Sequence, residues 1–349
     1  MSKPLVVLDA DVLGRRRTGD ESYVSALLHE LPRLDDELRF AAVTRHPERV
    51  PDGVEAVELP ARSQAWRMSW PLPRLLRRLQ PAVAHFQHVV APGSTAPAVL
   101  TIHDLSFERD PGLMGRRDRF FFKTMVPRSV RRADRVIAVS ERTRRDIVEH
   151  YRLDEAKIAV VPNGIDEGFG PDGPAADGTP YLLFVGALQP RKDPLVAIEA
   201  LSLADSELRL VLVGPDKGSA ADARRTAARL GLNDRVELAG HVEKPALATL
   251  YRGAEALVFP SRYEGFGLPV LEAMASGTPV VATSAGAIPE VAGEAAVLVE
   301  PGDPVALAGG IERALADRER LVQAGLERAR LYSWTDTARR TLAVYRELL

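Results

Sequence analysis

The feature that most constrains the fold is an alternation of short, continuously apolar runs with longer amphipathic stretches. Strands without polar positions are buried on both faces, which is typical of parallel sheets covered by helices. Two such series occur in succession and predict two doubly wound, Rossmann-like α/β domains. The predicted strands are 5–8, 40–43, 82–86, 99–102, 136–139 and 159–161 in the first series and 181–185, 208–213, 236–238, 256–259, 279–282 and 296–299 in the second.

The boundary between the domains is predicted at the segment 168–180, which is rich in Gly, Pro and Asp. We therefore expect a first domain over 1–167 and a second over 168–333. The last stretch, 334–349, has apolar residues at helical spacing and predicts a closing amphipathic helix. Ligands of parallel sheets bind outside the carboxyl ends of the strands, so the expected site is a central cleft that both domains face.

Composition excludes several classes of protein. The 349 residues carry a net charge of −2, which argues against a nucleic-acid partner, and they include no cysteine, which excludes disulfides and cysteine nucleophiles. The first apolar run ends at Asp9, shorter than the ~7–15 apolar residues of a secretory signal. No run approaches the ~18 apolar residues of a membrane span, so we expect a cytoplasmic enzyme.

The segment EGFGLPVLEA at 264–273 is the strongest motif. Gly265 and Gly267 allow the backbone to come close to a ligand, and Pro269 suits the first turn of a helix. Glu264 should lie in a loop and Glu272 about one turn inside the helix. Free N–H groups at a helix N-terminus suit a diphosphate or sugar hydroxyls, and a carboxylate accepts hydrogen bonds from ribose or hexose. The motif predicts a nucleotide-sugar site.

A second motif, FVGALQPRKD at 184–193, places two cations after a strand. Gly186 makes the turn at the strand end, and Arg191 and Lys192 follow before a helix that starts near Pro194. Cations just past a strand end are well placed to bind a diphosphate.

Histidines follow two predicted strands of the first domain. TIHDLSF at 101–107 brings His103 and Asp104 to a strand end, and His85 and His88 lie beside another strand, where they would line an acceptor pocket. A histidine at a strand end also has a purely structural use, and both interpretations stay open here. No HExxH metal motif, GxGxxG after the first strand, GxxxxGK[ST] loop or GxSxG turn is present, so nicotinamide, ATP and metal chemistry have little support.

These motifs resemble those of glycosyltransferase family 4, the retaining, mannosyltransferase-like group 1 enzymes of the GT-B fold. The resemblance covers nearly the whole chain and implies a C-terminal helix that crosses back to the first domain. Its elements are the loop near 14–23, HDLSF at 103–107, ADRVIAVSE at 133–141, VVPNGID at 160–166, FVGALQPRKD at 184–193, EGFGLPVLEAMASGTPVV at 264–281 and YSW at 332–334.

The resemblance implies a catalytic role for four residues. Glu264 would hold hydroxyls of the donor sugar, while Arg191 and Lys192 would neutralise the diphosphate. His103 would contact the transferring sugar and stabilise charge at the reacting centre. One departure is Ala187, which follows the strand-end glycine where many members have arginine, so Arg191 would have to supply that cation.

The resemblance also assigns the two domains. The second would bind the donor, with Glu272 on the ribose, and the first would bind the acceptor. The acidic segment 19–22 replaces a more Gly-rich turn and indicates a hydroxyl-bearing acceptor. The implied donor-binding residues are Gly186, Gly214, His241, Val242, Gly265, Phe266, Gly267, Leu268 and Glu272, and the acceptor-binding residues are Gly19, Asp20, His85, His88 and Asp104.

The expected reaction is metal-independent transfer with retained configuration, without any cofactor. GDP-mannose is the expected donor, because the Pro-Arg-Lys subgroup contains many enzymes that resemble mannosyltransferases; a UDP-sugar is the alternative. The expected acceptor is a glycan or a lipid-linked precursor of a cell-surface polysaccharide or glycolipid. A nucleotide-sugar epimerase of the same fold and a non-catalytic sugar-binding protein remain open.

A basic stretch in the first half suggests a further partner. Between positions 62 and 145 there are 17 basic and 6 acidic residues, and 62–79 interleaves arginines with Trp66, Trp70 and four leucines. Such a segment can lie on an anionic membrane, which would place the enzyme on the inner face of the plasma membrane. An arginine-studded core helix is the alternative.

Overall fold

The computed structural model describes residues 3–14, 18–61, 63–109, 116–204 and 207–349. The chain divides into two compact units. The first comprises Met1–Gly164 together with Ser333–Leu349, and the second comprises Ile165–Tyr332. The predicted boundary at 167/168 lies just beyond this division. None of the helices in the described ranges combines the length and apolar character that crossing a membrane requires.

The sheet of the first unit has seven strands in the order β3-β2-β1-β4-β5-β6-β7, and its strand pairs are parallel. The order reverses between β1 and β4, which is where ligands bind in doubly wound sheets. The strands are β1 Leu5–Asp9, β2 Arg39–Thr44, β3 Glu55–Glu58, β4 Val83–Gln87, β5 Ala98–Ile102, β6 Arg135–Ala138 and β7 Ile158–Val160.

The second unit repeats this arrangement with six parallel strands in the order β10-β9-β8-β11-β12-β13. Here the order reverses between β8 and β11. The strands are β8 Tyr181–Val185, β9 Arg209–Val213, β10 Val236–Gly240, β11 Ala256–Phe259, β12 Val280–Thr283 and β13 Val297–Val299. The two doubly wound sheets confirm the predicted α/β class.

Helices cover the faces of both sheets. Those of the first unit are α1 Thr18–Leu34, α2 Gln64–Ser69, α3 Pro71–Leu79, α4 Ser106–Arg109, α5 Arg116–Arg132 and α6 Glu141–Tyr151. Those of the second unit are α7 Pro194–Leu203, α8 Ala220–Arg229, α9 Lys244–Gly253, α10 Leu268–Ala275, α11 Ile288–Ala292, α12 Pro304–Ala316 and α13 Arg318–Ala329. The final helix is α14, Trp334–Arg346.

The final helix α14 belongs to the first unit, in agreement with the implied crossing of the chain. Its Leu342 and Tyr345 are buried in the same core as Tyr23 of α1. Gly164 lies in close contact with the start of this helix, because a Cβ on Gly164 would lie 2.1 Å from the backbone nitrogen of Trp334. Glycine is therefore required where the chain returns to the first unit.

The basic segment is chiefly part of the core. In α2 and α3, Met68, Leu72, Leu75 and Leu76 pack in the cluster that covers one face of the first sheet. Arg67 is fully buried, and its guanidinium lies 2.7 Å from the Asp9 carboxylate. Burial of one charge beside another of opposite sign avoids the cost of an unpaired buried ion. The alternative of an arginine-studded core helix is therefore confirmed for the buried face of α2 and α3.

Candidate active site

Glu264 lies at the strand-order reversal of the second sheet, in the loop between β11 and α10, as predicted. The loop ends at Gly267, which has a φ of +106° and directly precedes the first helical residue, Leu268. The backbone of Glu264 is fixed from the other side, because Ala287 donates its N–H to the Glu264 carbonyl at 2.9 Å. A Cβ on Gly286, at φ +62°, would lie 2.2 Å from that carbonyl oxygen. The carboxylate is thus presented by a closely packed backbone.

The side chain of Glu264 is held between two cations. Its carboxylate oxygens lie 3.2 Å from the Arg191 guanidinium and 2.5 Å from the Lys192 ammonium. The glutamate is 6% exposed. Although burial raises the pKa of the Glu264 carboxyl, the charges of Lys192 and Arg191 outweigh that effect and hold the pKa below its ordinary value. The three groups together carry a net charge of +1.

Arg191 and Lys192 lie on the short 3₁₀ turn Pro190–Lys192, which follows β8. Arg191 also donates to the backbone carbonyl of Tyr263 at 2.6 Å, and the Lys192 ammonium lies 5.1 Å from the ring centroid of Phe259. These contacts fix both cations against the β11 side of the site. The sequence predicted their position but not their pairing with Glu264.

Three glycines, Gly186, Gly214 and Gly240, lie at the carboxyl ends of β8, β9 and β10 and are here called the glycine floor. Gly186 donates its N–H to Val213, and Gly214 donates to the carbonyl of Gly240 at 2.7 Å. A Cβ on Gly214, at φ +144°, would lie 2.1 Å from the Gly186 carbonyl oxygen. The strand ends approach so closely that only glycine fits there. His241 is exposed and directly follows this floor, with Val242 beside it half-buried.

Glu272 lies inside α10 and is half-buried. Its carboxylate accepts a hydrogen bond from the Tyr251 hydroxyl at 2.9 Å. Burial raises the pKa of Glu272 to about 7, and the Tyr251 hydrogen bond and Lys244 oppose the rise only in part. The group therefore titrates near neutral pH, unlike Glu264.

In the segment Gly265–Leu268, the aromatic side chain is used for packing inside the second unit. The ring of Phe266 is buried and packs edge-on against Tyr332, with ring centroids 5.8 Å apart. Phe266 therefore anchors the loop internally. Helix α10 starts at Leu268, so the positive end of its dipole lies next to this loop, an arrangement that favours an anionic group.

His103 belongs to the first unit and follows β5. Its Nε2 is 2.8 Å from Gln87 Oε1, and its ring is packed between Tyr23 and His88, with centroids 4.9 Å and 5.3 Å away. Burial lowers the pKa of His103 to about 4, against the opposing charge of Asp20. The imidazole is therefore neutral at pH 7, and it would stabilise charge by its dipole and hydrogen bonds rather than as a cation.

The structure corrects the prediction that His85 lines an acceptor pocket. His85 is fully buried, with Nδ1 2.6 Å from the Tyr345 hydroxyl and Nε2 2.7 Å from Thr101 Oγ1. Burial lowers its pKa to about 3. Both ring nitrogens are used inside the core, so His85 is a structural residue that connects α14 to the sheet.

The remaining acceptor candidates follow β4 and β5 or lie in the first turn of α1. His88 Nε2 is 3.9 Å from the carboxylate of Asp20. Asp104 accepts hydrogen bonds from both the backbone N–H and the hydroxyl of Ser106, so part of its role is to cap α4. Gly19 lies in the first turn of α1 rather than in a loop. Arg15–Arg17 of the predicted loop lie outside the described residues.

Sequence reasoning missed Gln87, Tyr23 and Tyr251. Gln87 stands two positions after His85 and therefore on the same face of β4, a signal that the period of a strand makes readable. Nothing in the sequence links Tyr251 to Glu272, because they lie on different helices. Among the described residues, no group of three or more His, Cys, Asp or Glu side chains could hold a metal ion.

Comparison with known proteins identifies the family. The model described as "Glycosyltransferase Family 4" matches residues 17–169, and the model described as "Glycosyl transferases group 1" matches residues 171–328. Together they cover most of the chain. The chain belongs to the family 4, group 1 glycosyltransferases.

Relatives of this glycosyltransferase differ in their named activities. A D-inositol 3-phosphate glycosyltransferase of Geodermatophilus obscurus is 37% identical over 62% of this chain and 53% of its own length. An O-antigen chain mannosyltransferase B of Escherichia coli is 28% identical over 82% of this chain and 78% of its own. The chain thus spans about half the length of the inositol phosphate enzyme.

Solved structures share the GT-B fold, which confirms the fold expected from the sequence. HepE of Anabaena, solved in complex with UDP and glucose, superposes with a TM-score of 0.76 over 98% of this chain and 99% of its own, at 17% identity.

The close approach of Gly286 to Glu264 gives a first prediction. A Gly286→Ala variant should shift the Glu264 loop and weaken sugar-nucleotide binding on the order of tenfold or more, because the new Cβ overlaps backbone atoms. Gly302→Ala is the matched control, since Gly302 also has a positive φ but its nearest contact would be the Arg262 side chain at 3.6 Å. Titration calorimetry of both variants measures the effect, and equal affinities would contradict it.

The titration of Glu272 gives a second prediction. Hydroxyls of the ribose that the family resemblance assigns to Glu272 would donate to its ionised carboxylate, so binding should strengthen about tenfold between about pH 6 and about pH 8, as Glu272 loses its proton near pH 7. An intact sugar nucleotide is used, because its diphosphate does not titrate in this range. The dependence should disappear in Glu272→Gln; its persistence there would assign it to another group.

Proposed function

We propose that this chain is a retaining hexosyltransferase. It transfers a sugar from a nucleoside diphosphate donor to a hydroxyl of a glycan or lipid-linked acceptor in the biosynthesis of a cell-surface polysaccharide or glycolipid. The observation that carries the proposal is the buried Glu264 carboxylate between Arg191 and Lys192, directly before the N-terminus of α10. It combines an acceptor for sugar hydroxyls with cations for a diphosphate.

The proposed donor is GDP-mannose. The Pro-Arg-Lys sequence at 190–192 and the similarity to a mannosyltransferase support it. A UDP-sugar is the second candidate, supported by the UDP and glucose bound to HepE. The exposed His241 beside the glycine floor is where the base would lie.

The chemistry follows from the charge balance. As the bond between the anomeric carbon and the phosphate oxygen breaks, negative charge grows on the diphosphate. Arg191, Lys192 and the helix N-terminus stabilise that charge where it develops. The acceptor hydroxyl bonds to the anomeric carbon on the same face and gives its proton to the leaving phosphate. Glu264 is a weak nucleophile, because both of its oxygens already face cations.

A donor screen tests the proposed function. Thermal shifts with GDP, UDP, dTDP and ADP should be largest for GDP, and product analysis with GDP-mannose should give an α-linked product that retains the donor's configuration. EDTA should leave turnover unchanged. An inverted product, a strict metal requirement or epimerised donor without acceptor would contradict the proposal, and a largest shift with UDP would select the second candidate.

Removal of a cation tests the role of the diphosphate site. Lys192→Met should lower turnover by on the order of 100-fold, because one source of charge stabilisation is lost. Arg191→Met should behave similarly, while Arg225→Met, an exposed cation on α8, should match the parent enzyme. Circular dichroism checks folding, since Glu264 loses a partner. Near-normal turnover in both site variants would refute the assignment.

The outer surface of α2 and α3 supports contact with an anionic membrane. Trp66 is 50% exposed and Trp70 is 56% exposed, and the Arg74 guanidinium lies 3.2 Å from the ring centroid of Trp70. Arg77 and Arg78 are exposed on α3. Interfacial indoles beside cations suit a surface of anionic lipids, where a lipid-linked acceptor would be found.

Flotation with vesicles tests this contact. The protein should float with vesicles that contain anionic lipid and not with neutral ones, and the double variant Trp66→Ser/Trp70→Ser should lose binding. Leu203→Ser is the matched control, because Leu203 is an exposed apolar residue of the second unit. Absence of flotation with anionic vesicles would remove the membrane from the proposal.

A further inference from the structure

The two central strands β4 and β5 carry a ladder of polar side chains on one face. Val83, His85 and Gln87 alternate along β4, and Gln87 is in register with Thr101 of β5. The face is apolar at its amino end and polar toward the carboxyl end, where His103 follows β5. Polar groups on a buried sheet face are costly unless each finds a partner, so each one needs an explanation.

The deeper part of this ladder is closed by hydrogen bonds. His85 lies between the Tyr345 hydroxyl and Thr101, and Thr101 Oγ1 also lies 3.0 Å from the Tyr23 hydroxyl. All four residues are buried. This network fixes the ring of Tyr23, which packs edge-on against His103.

In the outer part of the ladder, one side-chain hydrogen bond is formed and two buried nitrogen atoms have no partner among the described residues. Gln87 Oε1 accepts a hydrogen bond from His103 Nε2 at 2.8 Å. Because a carbonyl oxygen accepts only, the proton of the neutral imidazole lies on Nε2, and Nδ1 offers a lone pair. Within the described residues, the buried Gln87 Nε2 and His88 Nδ1 have no hydrogen-bond partner. A buried amide N–H without a hydrogen-bond partner costs free energy, which a ligand oxygen would recover.

We propose that Gln87 is a positioning residue that holds His103 as its Nε2–H tautomer and donates its own amide N–H to the sugar being transferred. Gln87 then supplies a donor and His103 Nδ1 an acceptor. Neighbouring sugar hydroxyls can satisfy both, since each hydroxyl donates one hydrogen bond and accepts others. The inference rests on the proposed function, because it takes the ligand to be a sugar.

Nitrogen NMR of the unmodified protein with ¹⁵N-labelled histidine tests the tautomer without any substrate. His103 is assigned by the loss of its signals in His103→Asn. The proton is expected on Nε2; a proton on Nδ1 would overturn the inference. This result stands whether or not sugar transfer is observed, so it separates failure of the inference from failure of the proposed function.

Two variants of Gln87 separate its two contacts. Gln87→Met removes both and should lower kcat by on the order of tenfold or more. Gln87→Glu keeps the acceptor for His103 but loses the amide N–H, and its carboxylate favours the imidazolium. Protonation occupies Nδ1, so kcat should acquire a limb that falls as pH decreases from about 8 to about 5, absent from the parent enzyme.

If Gln87 had only a structural role, its substitution would lower the stability of the protein without making kcat fall at low pH. Gln323→Met is the control, because Gln323 is an exposed glutamine of α13. Thermal unfolding of each variant identifies loss of fold. Turnover of Gln87→Met within twofold of the Gln323→Met control, or a pH profile of Gln87→Glu that matches the parent, would overturn the inference.

Discussion

The ion triplet of Glu264, Arg191 and Lys192 is the interaction on which the site in the second unit depends. A carboxylate that is 6% exposed would be costly alone, and loss of either cation would remove one of its two ion pairs. With both, the charge is held where two strand ends and a helix N-terminus converge. The residual charge of +1 would attract a diphosphate, and the carboxylate oxygens keep lone pairs for sugar hydroxyls, which is the basis of the proposed function.

The backbone around the triplet is closely packed and holds Glu264 in position. Gly286 permits close contact with the Glu264 carbonyl, and Gly214 permits the approach of neighbouring strand ends. At both positions an added Cβ would overlap backbone atoms, so only glycine allows these close contacts. Two carboxylates then differ in protonation near neutral pH: Glu264 stays ionised between its cations, whereas Glu272, beside Tyr251, has a pKa of about 7. The contrast follows from their partners rather than from burial alone.

The sequence predicted most strands because they are buried on both faces and therefore apolar; the predicted strand 181–185 has the limits of β8. It missed Glu55–Glu58, an edge strand whose charged, largely exposed residues give no apolar run. Local sequence patterns also could not predict contacts between residues that lie far apart in the chain. Glu264 meets Lys192 across 72 positions, and His85 meets Tyr345 across 260, which is why His85 was misassigned to the acceptor pocket.

In the proposed site, Glu264 recognises the sugar while Arg191 and Lys192 bind the diphosphate. Affinities for GDP and GDP-mannose, measured by calorimetry in the parent and in Glu264→Gln, test it most directly. We expect that the variant loses the extra affinity for the sugar nucleotide, while GDP binds as well or better because the cluster gains one positive charge. An unchanged difference between the two ligands, or an equal loss for both, would contradict it.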